Sequence, residues 1–481
     1  MTSRRTLVCG IAAAGALGPA VLHATGAPVT DTPYDVIVLG SGAAGLAAAI
    51  SAREAGAARV AILEKTAIAG GHTLVSSGMV NAYDPYGQAR MARRDSPEQF
   101  FRDTFEGGGQ LGDPDLISRM IDGSEDMLRW LRSCGVEFDP RLYEAYTGVF
   151  PRAHKTIWAR SGAEYVTKLL AHARALGVEV HYRTRGERLL LGRTGAVEGV
   201  VARSTATNKT ETWPARSVVI ATGGFGASLP LRTRWAPEMP SELGTTYSPG
   251  RMAEDPSTGD GIRMATLAGA ALTGMEHLMA IPFWGGRVLD YPGAEIFLTL
   301  DGDRFTDETA AWDVVFDDLA RTGGTEFWVI TDSRSRKGAT FATKVQQGLV
   351  ESAETLDELA TRMKIKPVKL REVMARYNEA ANTQTDPEFG RTRFLQDLSK
   401  PPFYFGRERF EVHYTCGGIA ITPEAEVKRE EEGIIPGLYA AGETTGGVHG
   451  SFRLGGNGLT DAFVFGRIAG ANAAAFASRK N

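Results

Sequence analysis

Gly40-Ser41-Gly42-Ala43-Ala44-Gly45 places three glycines at GxGxxG spacing, and Glu64 follows nineteen residues after the last of them. Each position has a task in holding a pyrophosphate. The first glycine turns tightly, the second lets backbone approach the ligand, the third lets a helix close on a strand, and the acid accepts from ribose hydroxyls. Gly40, Gly42, Ala43, Ala44, Gly45 and Glu64 are therefore candidate cofactor-binding residues. Two distant segments continue the glycine-rich pattern: Val218-Val219-Ile220-Ala221-Thr222-Gly223-Gly224 and Gly437-Leu438-Tyr439-Ala440-Ala441-Gly442-Glu443. The second runs on to Gly446-Gly447-Val448-His449-Gly450 and Arg453-Leu454-Gly455-Gly456-Asn457. A pattern completed by such distant segments favours FAD over NAD.

The elements that must position these residues alternate in an α/β rhythm. Asp35 to Leu39 and Arg59 to Leu63 read as short buried strands, with an alanine-rich helix from Ala43 to about Gly56 between them. Further strands are expected near Val178 to His181, Leu189 to Leu191, Val197 to Ala202 and Ser217 to Ala221. From about Glu276 to His413 the rhythm is lost, and helices are expected at Ser352 to Met363 and Lys369 to Asn382. The expected architecture is a Rossmann-like domain, residues 30–275 and 414–481, interrupted by an α+β cap, residues 276–413. The 481 residues, 43% apolar and 23% charged, have an ordinary globular composition, and their 57 glycines exceed the usual share. A net charge of -4 gives no basic surplus, so nucleic acid is not an expected partner. Cys9, Cys134 and Cys416 show no metal-ligand spacing, and no metal is expected.

At these motifs the chain resembles the fumarate reductase flavoprotein and flavocytochrome c family, which includes 3-ketosteroid dehydrogenases and urocanate reductases. Gly70-Gly71-His72-Thr73, Thr258-Gly259-Asp260-Gly261, Gly302-Asp303-Arg304-Phe305 and Thr415-Cys416-Gly417-Gly418 fall in the family's order, and the resemblance covers residues 34 to 478. It implies FAD at the domain junction and hydride exchange at a CH-CH or C=C bond beside an activating group. By motif position Lys65, Gly71, His72, Thr73, Gly78, Thr222, Gly223, Asp260, Gly442, Glu443, Gly456, Asn457 and Leu459 join the cofactor candidates. His72-Thr73 matches the relatives that bind FAD covalently, so a histidyl bond and a non-covalent site both stand as expectations.

The substrate side departs from the family. The cap arginine that delivers the proton in fumarate-reducing members falls on Trp312, and the two carboxylate-binding histidines are assigned to Ile281 and Tyr414. Arg453 is kept and is expected to hold an anion or a carbonyl. Around it, Ile281, Phe283, Trp284, Trp312 and Tyr414 imply a substrate larger and more apolar than a C4 diacid. Tyr414 leads as a hydrogen-bond donor to a carbonyl or, if Arg453 lowers its pKa of about 10, as acid or base. Arg287, Tyr291 and Asp313 rank lower, while His154, His413 and His449 read as structural.

Arg4-Arg5 before the uncharged stretch Thr6 to Leu22 resembles a twin-arginine export signal over residues 1–27, and the expected location is the periplasm. No membrane span is expected in the mature chain. With no CxxCH haem motif, electrons are expected to pass to or from an external carrier such as a c-type cytochrome, quinone or oxygen. The leading expectation is an exported flavoenzyme acting on a bulky substrate, with dehydrogenation slightly favoured. The rivals are a respiratory reductase of an unsaturated acid and a flavin protein that has lost catalysis.

Overall fold

The computed structural model describes residues 32–479 except 89–93, 146–149, 160, 249–254, 290–292, 339 and 395. The expected signal at residues 1–27 and the candidate Tyr291 lie outside the described residues.

Val36-Ile37-Val38-Leu39 is an unbroken buried run, as parallel strands covered on both faces require. It ends the strand Tyr34–Leu39, which has Val60–Leu63 and then Glu179–His181 on one side, with Thr210–Ile220 and then Ile434–Ala440 on the other, all parallel. The strand order therefore reverses at Tyr34–Leu39, and ligands of such sheets sit beyond the carboxyl ends at that reversal. Glu426–Lys428 closes one edge, and the hairpin Thr184–Leu191 and Val197–Ser204 adds antiparallel strands against Thr210–Ile220. Helices Ala43–Glu54 and Asn457–Ser478 cross at van der Waals distance because Gly466 and Gly470 present no side chain. A Cβ on Gly470 would lie 2.0 Å from the Ala48 carbonyl oxygen.

A second, antiparallel sheet follows. The long strand Phe403–Thr415 pairs with Leu278–Pro282, Glu326–Thr331 and Glu351–Ala353, and Ile296–Thr299 adds to Glu326–Thr331. Phe297, Phe305, Trp312, Phe327 and Phe410 fill one of its faces. One apolar core lies in the parallel sheet and its helices, and separate cores serve this second sheet. The helix expected from Ser352 starts at Leu356, because Ser352 pairs with Tyr404 and the Thr355 side chain caps the Glu358 amide. Among the described residues no helix is long and apolar enough to cross a membrane.

Candidate active site

A single cleft joins the carboxyl ends of the parallel strands to the antiparallel sheet, with both units contributing its walls. Its cofactor end is shaped by backbone. Gly40 adopts φ +100°, and a Cβ there would lie 2.3 Å from the Ala221 carbonyl oxygen. Gly45 stands outside the cleft wall, where a Cβ would meet the Gly40 oxygen at 2.0 Å, so it serves the close helix–strand packing expected of it. Helices Ala43–Glu54 and Asn457–Ser478 begin at Gly42 and Gly456, which bring no side-chain cap; the Ala43 and Asn457 amides are taken by Thr73 Oγ1 and the Leu454 carbonyl, and the amides that follow them in the first turn are left for an anion. At Gly71 and Gly223 a Cβ would meet nothing within 4 Å. Uncapped helix starts and open glycine floors suit the pyrophosphate and ring system of FAD.

Side chains fasten this frame. Glu64 accepts from the Ser41 amide at 3.0 Å and the Ser41 hydroxyl through Oε2, and from the Thr66 amide and hydroxyl at 2.8 and 2.9 Å through Oε1. All four acceptor sites of the carboxylate are used, so a ribose hydroxyl enters only in exchange for Ser41 or Thr66. Lys65 and Arg185 both contact Asp260, at 3.0 Å. Burial would raise the Asp260 carboxyl, but these two cations outweigh it and hold it below its usual range. Thr73 Oγ1 accepts from the Ala43 amide at 3.0 Å, and Thr222 Oγ1 from the Gly261 amide at 3.1 Å.

Several assignments shift by a residue or change part. Gly78 lies behind the wall, where its carbonyl accepts from Tyr165 and its neighbours Ser77 and Met79 line the cleft. Asn457 is equally withdrawn: its side chain ties Asn81 to Thr104, while Gly456, Gly458 and Leu459 face the cleft. His72 has Asp255 at 2.8 Å from Nε2, Glu443 at 3.7 Å from Nδ1, and stacks on Tyr247. Burial would lower its pKa, but the Asp255 hydrogen bond and the Glu443 charge raise it above the ordinary 6.5. Both His72 nitrogens face carboxylates, Asp255 within hydrogen-bond distance and Glu443 beyond it.

The substrate end is walled by Met279, Ile281, Pro282, Phe283, Trp312 and Phe452, with Tyr414, His413 and Arg453 as its polar groups. Arg453 is 7% exposed and forms no ion pair with a carboxylate among the described residues. One nitrogen donates to the Leu454 carbonyl at 2.9 Å, Nε has no partner, and the guanidinium stands 5.0 Å from the Tyr414 ring. Burial lowers its pKa from the usual value, against the Tyr414, Cys416 and Glu443 charges. At Tyr414 the pKa is raised, not lowered. Burial and the Asp461 and Glu443 charges outweigh Arg453 and push its phenol well above 10, so it is a neutral proton donor.

His413, read from sequence as structural, lines the cleft. Met279 pairs with Tyr414 while the next residue, Ala280, pairs with Val412, so His413 is the extra residue of a β-bulge and adjacent side chains both reach the cleft. Its Nδ1 meets Thr246 Oγ1 at 2.8 Å, and burial with the Arg453 charge drives its pKa well below 6.5, leaving it neutral. No sequence signal marks such a bulge. Arg287 does not line the cleft. It pairs with Glu295 at 2.7 Å and stacks on Trp312 at 4.8 Å, which makes it a buttress of that ring. Asp313 is exposed.

Residues 35–459 match the FAD-binding domain family FAD_binding_2. A urocanate reductase from Eggerthella lenta is 33% identical over 469 residues, covering 93% of this chain and 75% of its own. A fumarate reductase (cytochrome) from Shewanella frigidimarina is 33% identical over 456 residues, covering 93% and 78%. The crystal structure of a 3-ketosteroid-Δ4-(5α)-dehydrogenase from Rhodococcus jostii, in complex with 4-androstene-3,17-dione, superposes with a TM-score of 0.74 at 26% identity over 92% of this chain and 97% of that one.

Proposed function

The chain belongs to the FAD-binding domain family and is an FAD-dependent oxidoreductase acting on CH-CH or C=C bonds; from that premise we propose that its substrate is bulkier and more apolar than fumarate. The observation that carries the proposal is a buried Arg453 without a carboxylate partner among the described residues, set among Trp312, Phe283, Phe452 and Tyr414. A cation so placed selects a carboxylate or a polarised carbonyl, and the aromatic walls select a flat apolar remainder.

Bound FAD supplies the acceptor or donor of a hydride. The chain's own residues do the rest. Arg453 orients the anionic or carbonyl group, while Trp312, Phe283 and Phe452 exclude water. His413, neutral and hydrogen-bonded to Thr246, is a second polar contact for the activating group. Tyr414 holds its proton at Oη and exchanges it with the substrate carbon beside that group. Trp312 has no proton to give, which leaves the proton step to Tyr414 in either direction, with dehydrogenation slightly favoured.

The second reading, reduction of an unsaturated acid, draws on the unpaired Arg453 and on the relatives named for reducing fumarate and urocanate. Residues 276–413 act as the cap under either reading, electrons pass to a separate carrier, and the Arg4-Arg5 signal directs the chain to the periplasm. The test is anaerobic. Flavin absorbance of chemically reduced protein is followed after adding fumarate, cinnamate or 2-cyclohexenone. Reoxidation by the bulky compounds alone supports the proposal, and rapid reoxidation by fumarate overturns it.

A further inference from the structure

Tyr414 touches two buried groups that do not line the cleft. Its hydroxyl lies 3.5 Å from Asp461 Oδ2, and the same oxygen lies 3.4 Å from His449 Nε2. The three residues come from separate elements: the end of strand Phe403–Thr415, the first turns of helix Asn457–Ser478 and the glycine-rich loop between them in sequence. Asp461 and His449 are 1% and 3% exposed. The His449 ring stands edge-on to Tyr414 at 5.6 Å.

Packing alone does not account for this group. Asp461 Oδ1 and His449 Nδ1 are buried with no hydrogen-bond partner among the described residues. A carboxylate and an imidazole buried with half their capacity unmet cost stability, and such groups persist where chemistry uses them. Tyr414 also needs a neighbour of this kind. Burial makes its phenolate unfavourable, so a proton moving through its oxygen must pass onward at once.

We infer that Asp461 and His449 are positioning residues that form a buried proton store behind Tyr414, filled or emptied as Tyr414 exchanges a proton with substrate. The inference rests on the role given to Tyr414 above. In dehydrogenation, the C-H bond beside the activating group breaks and its electron pair becomes the new π bond. The hydrogen on the neighbouring carbon leaves with its electron pair to FAD. The released proton reaches Tyr414 Oη as the phenol's own proton moves to Asp461 Oδ2 and on to His449. The substrate loses two electrons and two hydrogens, and reduction runs the same path backwards. The 3.4 and 3.5 Å separations exceed an ordinary hydrogen bond, as catalytic contacts do before substrate closes on them.

The test uses FAD-loaded protein carrying ¹³Cζ-labelled tyrosine, with Asp461→Asn, His449→Gln and Tyr414→Phe variants. The Tyr414 resonance is the one absent from Tyr414→Phe, and it should move in both other variants. Reoxidation of the reduced flavin by cinnamate and 2-cyclohexenone, in H₂O and D₂O, is the second readout. Tyr414→Phe should slow it about 100-fold, and Asp461→Asn and His449→Gln on the order of tenfold with a larger solvent isotope effect and unchanged substrate affinity. An unmoved Tyr414 resonance in Asp461→Asn overturns the store, as does slowing that comes with weaker affinity and no change in isotope effect. If neither compound reoxidises the wild type while the resonance still moves, the substrate reading falls and the coupled store stands. If both compounds work and Tyr414→Phe is as fast as wild type, the proton route falls and the substrate reading stands.

Discussion

At the cofactor end of the cleft the chain meets itself backbone to backbone; at the substrate end it meets itself side chain to side chain. Gly40 and Gly45 fit against carbonyl oxygens with no room for a methyl group, and Glu64 ties Ser41 of the Gly-rich turn to Thr66. At the other end, Trp312 leans on Arg287, Arg287 on Glu295, and Arg453 on the face of Tyr414. A backbone frame tolerates almost no substitution. A side-chain frame changes its ligand by changing a few residues, which is how one cofactor site serves relatives named for fumarate, urocanate and ketosteroids.

The largest effect should come from the backbone end. Gly45→Val forces a side chain onto the Gly40 oxygen and is expected to cost about 4 kcal/mol or more, read as lost flavin content and a collapsed thermal transition. Retained flavin would break the contrast between the two ends. Arg453→Gln should keep its flavin and raise the KM of a carboxylate substrate about 100-fold, because a buried charge partner is lost only when substrate binds. Steady-state kinetics with equal flavin occupancy decide this. Trp312→Phe should lower kcat/KM for a bulky substrate about tenfold, again at full flavin content; an equal loss with a small substrate would argue that Trp312 supports the cap and does not select.

His72 joins the two ends, and its pair with Asp255 has a pH signature. Asp255 is pulled down to about 2 by its His72 and hydroxyl partners against its burial, while His72 is raised. A depressed acid stabilises above its unfolded pKa of about 3.9, and a raised histidine stabilises below about 6.5. The stability advantage of wild type over His72→Gln should thus be full from about pH 4 to 6.5. It should fade in acid as pH falls through the Asp255 value and in alkali as pH rises through the His72 value. Thermal unfolding across pH measures it, and acid precipitation should leave FAD in the supernatant, whereas a yellow pellet would establish the histidyl bond. The smallest effect belongs to Gly56→Ala, at φ +94° with nothing within 4 Å of the new Cβ, at about 1 kcal/mol of backbone strain and no loss of flavin.

Legibility follows the same division. GxGxxG, the strand before it and Glu64 were readable because a tight turn beside a helix start demands those residue types at that spacing. Gly78 and Asn457 were assigned to the cofactor and do not line the cleft, since a motif marks a loop but not which of its residues turns inward. Tyr414 was legible as a polar group beside Arg453 but the direction of its pKa was not, because burial and Asp461 are contributed from outside its own segment. His413 was passed over, because the bulge that turns it into the cleft depends on how Leu278–Pro282 registers against it.

By itself, then, the sequence determined the nucleotide-binding frame, the cofactor and the family's reaction. These depend on local spacing and on side-chain chemistry that no neighbour can alter. Tertiary structure alone decided how the polar groups of the substrate end are tuned and which touch one another: His413 shifted down, Tyr414 shifted up, Arg453 with no carboxylate partner among the described residues, and Asp461 with His449 behind them. Protonation state and contact are set by burial and by partners tens to hundreds of residues away, and no local pattern records either.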